Sequence, residues 1–197
     1  MEKEEINSKD HLEYIDHQKN KTTDPIKIKK WQNEEWQIKL EGFKEIFSQY
    51  STLFKKEGKC LGLGSRTGQE IAALNELGYQ DAIGVDIVPF PPYTIAADFH
   101  ELPFDKQSVS LIYSNAVDHV RIPSLWSSEI NRVLKPGGYC LFNLQIGLSV
   151  EDEYTVFQIE DVEKELLPLF KDYTVIENKQ IPMNVHSLNW EVLIQKN

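Results

Sequence analysis

At 197 residues, with 41% hydrophobic and 26% charged side chains, the chain has the size and composition of one globular domain with a substantial core. Its net charge of −10 makes nucleic acid an unlikely partner, because an acidic surface repels phosphate backbones. No apolar run reaches the length of a membrane span, and the opening MEKEEINSKD cannot be a secretory core, so a cytoplasmic protein is expected.

Residues 1–30 hold seven Lys and seven Asp or Glu with almost no apolar periodicity. They are expected as a mobile charged tail, leaving residues 31–197 as the folded domain and the carrier of the whole charge deficit. Trp36, Leu40, Phe43, Phe47, Tyr50 and Phe54 recur at steps of four and three, which predicts a helix within 31–54. Its aromatic stripe is better read as packing on the domain than as a lid over a ligand.

From residue 59 the pattern alternates. KCLGL predicts a strand, and QEIAALNEL a helix that Gly78 can end. DAIGVDIV is a strand with Asp86 at its end, TIAADF a shorter one, and SVSLIYSN another. SLWSSEINRVL predicts a helix with Trp126, Ile130, Val133 and Leu134 on one side; LKPGG is a stop signal, and YCLFNLQI a strand. FQIEDVEKELLPLF predicts a helix distorted near Pro168. YTVIEN and LNWEVLIQ finish as two strands without a helix between them. Strand and helix in this rhythm predict a doubly wound α/β fold: three layers around a mostly parallel seven-stranded sheet, with an antiparallel last strand.

In such sheets ligands lie beyond the carboxyl ends of the strands. Gly62, Gly64 and Gly68 follow the first strand, where bare backbone lets a ligand approach and the next helix offers free N–H groups. The spacing is not the G-x-G-x-x-G of a dinucleotide site, because the third glycine comes one residue late, which weakens a nicotinamide-dependent oxidoreductase. Asp86, 22 residues after Gly64, stands where a carboxylate can accept ribose hydroxyls, and Asp98 with Phe99 follows the third strand on the same edge. The bland alternative for each acid is a helix cap or a solvated loop.

These pieces together resemble the class I S-adenosylmethionine-dependent methyltransferases, and within them the type 11 methyltransferase domain. The resemblance is carried by LGLGSRTGQE, GVDIVP, ADFHELPFDKQSVSLIYSNAVDH and RVLKPGGYCLFNL, in that order. It implies a Rossmann-like fold, S-adenosylmethionine as cofactor and methyl transfer to an acceptor, for which a small or sugar-like molecule is the expectation. It also implies that Gly62, Gly64, Ser65, Arg66 and Gly68 wrap the methionine part, that Asp86 and Ile87 meet the ribose, and that Asp98 and Phe99 meet the adenine. Ser114 and Asn115 would then face the sulfonium and the acceptor. The family pattern acid-x-Gly-x-Gly-x-Gly is broken twice, with Gly62 in place of the acid and Arg66 in place of the middle glycine. Arg66 can instead reach the cofactor's carboxylate or pair with Glu70. These departures keep open a second reading, a non-catalytic relative that acts as a partner in a complex.

His119, with Asp118 beside it, is the candidate general base if the acceptor must lose a proton; orienting the loop is the alternative role for the pair. PFPPY at 89–93 follows the second strand, where prolines stiffen a loop, and carries no catalytic signal. His186 could line an acceptor pocket, whereas Trp190 alternates with Val192 and Ile194 like a packed strand residue. The two cysteines, Cys60 and Cys140, lack metal or redox spacing. The family's strand order would hold them two strand spacings apart, about 9.5 Å, beyond the roughly 7 Å reach of a disulfide.

Overall fold

The structure is a computed structural model and describes residues 9–147 and 157–197; the first eight residues of the expected tail lie outside the described residues. Seven strands form one sheet: β1 (Lys59–Leu63), β2 (Ala82–Asp86), β3 (Thr94–Ala96), β4 (Val109–Ser114), β5 (Leu134–Leu144), β6 (Tyr173–Gln180) and β7 (Trp190–Lys196). Their order is β3-β2-β1-β4-β5-β7-β6. The pairs from β3 through β5 are parallel, whereas β7 runs antiparallel to both β5 and β6. The doubly wound sheet with its reversed last strand is the expected one.

Because successive side chains of a strand point to opposite faces, each strand feeds two cores at once. Leu61, Leu63, Ile112, Phe142 and Val192 pack with Trp126, Ile130 and Val133 from helix Pro123–Val133. Their neighbours in sequence, Cys60, Leu111, Tyr113, Leu141 and Leu193, face helices Trp36–Ser48 and Gln69–Glu76 through Phe43, Phe47, Ile71 and Leu74. In chain order the helices are α1 (Lys9–Thr22), α2 (Pro25–Lys29), α3 (Trp36–Ser48), α4 (Gln69–Glu76), α5 (Pro123–Val133) and α6 (Val162–Glu165), with a π-helical turn at Lys30–Glu34. The aromatic stripe of 36–54 packs on the domain, as the periodicity favoured. A polar link reinforces that layer: the Tyr50 hydroxyl donates to the buried Glu191 at 2.5 Å, and Asn143 Nδ2 donates to its other oxygen at 3.1 Å.

Three elements differ from expectation. Residues 9–30 form helices instead of a tail: His11 and Tyr14, 1% and 2% exposed, and Thr22 bury one face of α1 against the carboxyl edge of the sheet. That face is polar and aromatic, so a search for apolar periodicity passes over it. The segment 157–170 holds one short helix and a 3-10 turn. Asp161 caps the start of α6 by accepting from the amides of Glu163 and Lys164, and Pro168, lacking an N–H, ends regular helix four residues on. LKPGG does not delay its strand; β5 begins at Leu134 and shifts register against β4 as the Lys-Pro-Gly-Gly segment passes.

Cys60 and Cys140 are free and buried, with β4 between their strands. Burial pushes the Cys60 thiol up to about 12, and Cys140 higher still. A thiolate-directed reagent at pH 8 is therefore expected to titrate neither thiol in the folded protein and both in denaturant; reaction without denaturant would contradict this packing.

Candidate functional site

The turn from β1 into α4 is built on three residues with left-handed backbone: Gly64 (φ 73°), Arg66 (φ 43°) and Gly68 (φ 82°). Arg66 thus adopts the conformation of the glycine it replaces, at a steric cost on the order of 1–2 kcal/mol. The neighbouring strand holds the turn. Amides of Gly64 and Ser65 donate to the Val85 carbonyl at 3.0 and 3.1 Å, and Asp86 Oδ2 accepts the Arg66 amide at 2.8 Å. Asp86 Oδ1 accepts the Val88 amide at 3.0 Å. Burial raises the Asp86 pKa, and these amides oppose the rise. The Arg66 guanidinium makes no ion pair with Glu70; it lies 4.4 Å from the ring centre of Trp31, a cation–π contact that ties the π-helical turn to the glycine loop.

Two cavities open beside this turn. One is lined by Asp86, Ile87, Asp98 and Phe99, and roofed by Tyr14, Gln18 and Thr22 of α1. The other is wider and takes Ser65, Glu70, Asn115, Asp118, Asn143 and His186 into its wall. Gly64, Arg66, Ala116 and His119 line both, so they mark the junction. Gly62, Gly68 and Ser114 line neither. Gly62 is buried against Ser65 and Ile71, Gly68 caps α4 against Tyr93, and the Ser114 hydroxyl donates to the Leu63 carbonyl at 3.0 Å while accepting the Ala116 amide at 3.2 Å. Their contacts are with the turn and the strand ends. His186 stacks on Phe43 with ring centres 3.8 Å apart, and burial lowers its pKa to about 4. The Trp190 indole donates to Asn178 at 2.7 Å and lines neither cavity.

Asp98 has partners the sequence did not reveal. Its Oδ2 meets His11 Nε2 at 2.9 Å, and its Oδ1 meets His100 Nδ1 at 2.7 Å and the His100 amide at 2.9 Å. Burial alone would raise its pKa, but the His100 and His11 hydrogen bonds outweigh that and hold it well below the usual carboxylate range. His11, Asp98 and His100 place three donor groups at metal-ligand separations. His100 Nε2, however, accepts the Ile122 amide at 3.2 Å, which leaves the ring proton on Nδ1 facing Asp98. The arrangement is a hydrogen-bonded chain. The signal for His11 was the spacing of His11, Tyr14, Gln18 and Thr22, one helical face of polar and aromatic groups.

Residues 61–142 match the family described as a methyltransferase domain, Methyltransf_11. No curated protein matches the sequence. Among solved structures, a SAM-dependent methyltransferase from Aquifex aeolicus superposes with TM-score 0.65 and 14% identity, over 88% of this chain and 99% of that one. The Burkholderia thailandensis 1,6-didemethyltoxoflavin-N1-methyltransferase, with 1,6-didemethyltoxoflavin and S-adenosylhomocysteine bound, gives 0.69 and 14% over 96% and 91%. Geranyl diphosphate C-methyltransferase from Streptomyces coelicolor A3(2) gives 0.61 and 11% over 78% and 77%. At these identities the likeness is one of fold. The fold is the one these methyltransferases share, and the segment that matches the methyltransferase-domain family runs from β1 into β5.

The chain's own geometry fits that cofactor. A Cβ at Gly64 would come within 2.6 Å of Ala116 and 3.7 Å of the Phe99 ring, so the bare backbone leaves the junction open. Asn143 Oδ1, a buried polar atom without a hydrogen-bond partner, belongs to the wall of the wider cavity.

His11→Ala removes a hydrogen bond to a carboxylate, so a stability loss of about 1.5–3 kcal/mol at pH 7 is expected in urea titration, with faster amide exchange in α1. Because the Asp98 pKa is depressed on folding, the stability it adds is present above its unfolded value of about 3.9 and is lost as pH falls below that. Unchanged exchange in the variant would show that this contact does not pin the helix.

Proposed function

We propose that the protein transfers a methyl group from S-adenosylmethionine to a small-molecule acceptor, a sugar-like metabolite being one such class. The observation that carries the reading is the pair of cavities meeting at Gly64, Arg66, Ala116 and His119, with Asp86 and Asp98 on the wall of the narrower one. Asp86, held by two backbone amides, keeps lone pairs for the ribose hydroxyls, and Ile87 lies beside it. Phe99 packs on the adenine, with Asp98 at its edge, and the Gly64–Arg66 backbone wraps the methionine part. Gly62, Gly68 and Ser114 contribute by shaping the turn and the end of β4 rather than by contact.

The cofactor supplies an activated methyl carbon; the chain's work is alignment and, for a protonated nucleophile, proton removal. Asn115 and His119 lie where an acceptor in the wider cavity would approach. His119 takes the acceptor's proton, and Asp118, whose Oδ2 is 3.8 Å from His119 Nε2, favours the resulting cation. The small-molecule assignment is supported by the acidic surface and by the ligands of neighbours, 1,6-didemethyltoxoflavin in one and geranyl diphosphate in another.

Two measurements test the reading. Asp86→Ala is expected to weaken S-adenosylhomocysteine binding at least about tenfold by calorimetry, the loss for a hydrogen bond to a charged group; unchanged affinity rejects its ribose role. Once a labelled-methyl assay against a metabolite extract has identified the acceptor, His119→Ala should lower kcat by on the order of 10²-fold with little change in KM. If the protein binds S-adenosylhomocysteine but labels nothing, the non-catalytic partner reading replaces catalysis.

A further inference from the structure

The family pattern has an acid two residues before the first glycine of the turn, and this chain has Gly62 there. The structure leaves no room for a side chain at that position: a Cβ on Gly62 would collide with Ser65 Oγ, come within 2.9 Å of Ile71 Cδ1 and touch Glu70 Cγ at 3.6 Å. A carboxylate is nevertheless present in that space. Glu70, in the first turn of α4, is 4% exposed, and its side chain passes the bare backbone of Gly62 to the wall of the wider cavity. The Ser65 hydroxyl hydrogen-bonds it, but of the charges that act on it Arg66 has turned onto Trp31 and Asp86 repels it. A carboxylate this buried needs a cation, since desolvation penalises its charged form.

We infer that Glu70 binds the α-ammonium of the methyl donor, the motif's carboxylate having moved from the end of β1 to the first turn of α4. The inference rests on the adenosine reading above: with adenosine in the narrower cavity, the donor's amino-acid part extends past the shared wall at Gly64 and Arg66 into the wider one. Burial raises the Glu70 pKa to about 7, opposed by its own backbone amide, the Ser65 hydroxyl and the Arg66 charge. An ammonium beside it would return the group to its ionised form. The purely structural alternative, an acid favouring the N-terminus of α4, predicts that neutralising Glu70 destabilises the helix. A ligand-binding acid predicts the reverse for the ligand-free protein at pH 8, because removing a buried charge whose desolvation outweighs its hydrogen bonds raises stability.

The test is calorimetry at pH 8 on the wild type and Glu70→Gln, with S-adenosylhomocysteine and with 5′-methylthioadenosine, which has the adenosine but no amino-acid part. The Gln variant is expected to lose at least about twentyfold in affinity for the former, as for truncation of a buried charge pair, and to stay within about threefold for the latter. Retained affinity for S-adenosylhomocysteine overturns the inference and leaves the adenosine reading standing. Equal loss of both ligands with a lowered melting temperature overturns it in favour of the structural role. If the wild type binds neither ligand at millimolar concentration, the adenosine reading falls and this one with it. Should the variant fail to fold, the wild type alone decides. Its affinity for S-adenosylhomocysteine should fall by up to about tenfold per pH unit below about 7, while that for 5′-methylthioadenosine stays level. Parallel profiles overturn the inference. Lys39, Asp118, His119 and His186 line the same cavity, Asp86 and Arg66 flank Glu70, and Tyr113 lies beside it. In a folded Gln variant, a slope that persists belongs to these groups and counts against Glu70.

Discussion

The turn between β1 and α4 reverses the chain with three left-handed residues in five, and the rest of the site depends on its being held. An isolated loop would not keep that shape, because one of the three is an arginine. The hold comes from the next strand over, whose Val85 carbonyl and Asp86 carboxylate take the amides of Gly64, Ser65 and Arg66. Asp86 therefore holds the turn and lines the narrower cavity at once. The parallel pairing of β1 with β2 brings the two sequence motifs within hydrogen-bond range of each other.

Around that turn, the polar groups are arranged by burial. Asp98 is ionised because two imidazoles meet it, whereas burial pushes Glu70 the other way against its hydrogen bonds and the Arg66 charge. Two carboxylates beside the same turn are thus shifted in opposite directions, one by its hydrogen bonds and the other by burial. The first draws α1 down onto the site, and the second is left facing the cavity.

The fold was legible from residue 59 onward because the sheet imposes strong local rules. Runs such as KCLGL and YCLFNL carry both cores in alternate residues, and Gly78 and Asp86 punctuate them. The end of β5's lead-in and the helix at 157–170 were less legible, since Pro168 and the Lys-Pro-Gly-Gly segment act through geometry that depends on neighbouring strands. Within the site, Asp86, Asp98, Phe99 and Asn115 line cavities, whereas the Ser114 hydroxyl joins the ends of β1 and β4.

By itself the amino-acid sequence determined the sheet, the glycine turn and the acids at consecutive strand ends, because periodicity and turn chemistry act over a few residues. Only the tertiary structure decided that α1 roofs the site and that Asp98 is shared between His11 and His100. It alone decided, too, that Glu70 fills the space beside Gly62. The His11–Asp98 contact spans 87 residues of chain. A hydrogen bond between groups so far apart leaves no trace in local patterning, since either residue is equally at home in solvent until the sheet brings its partner to it.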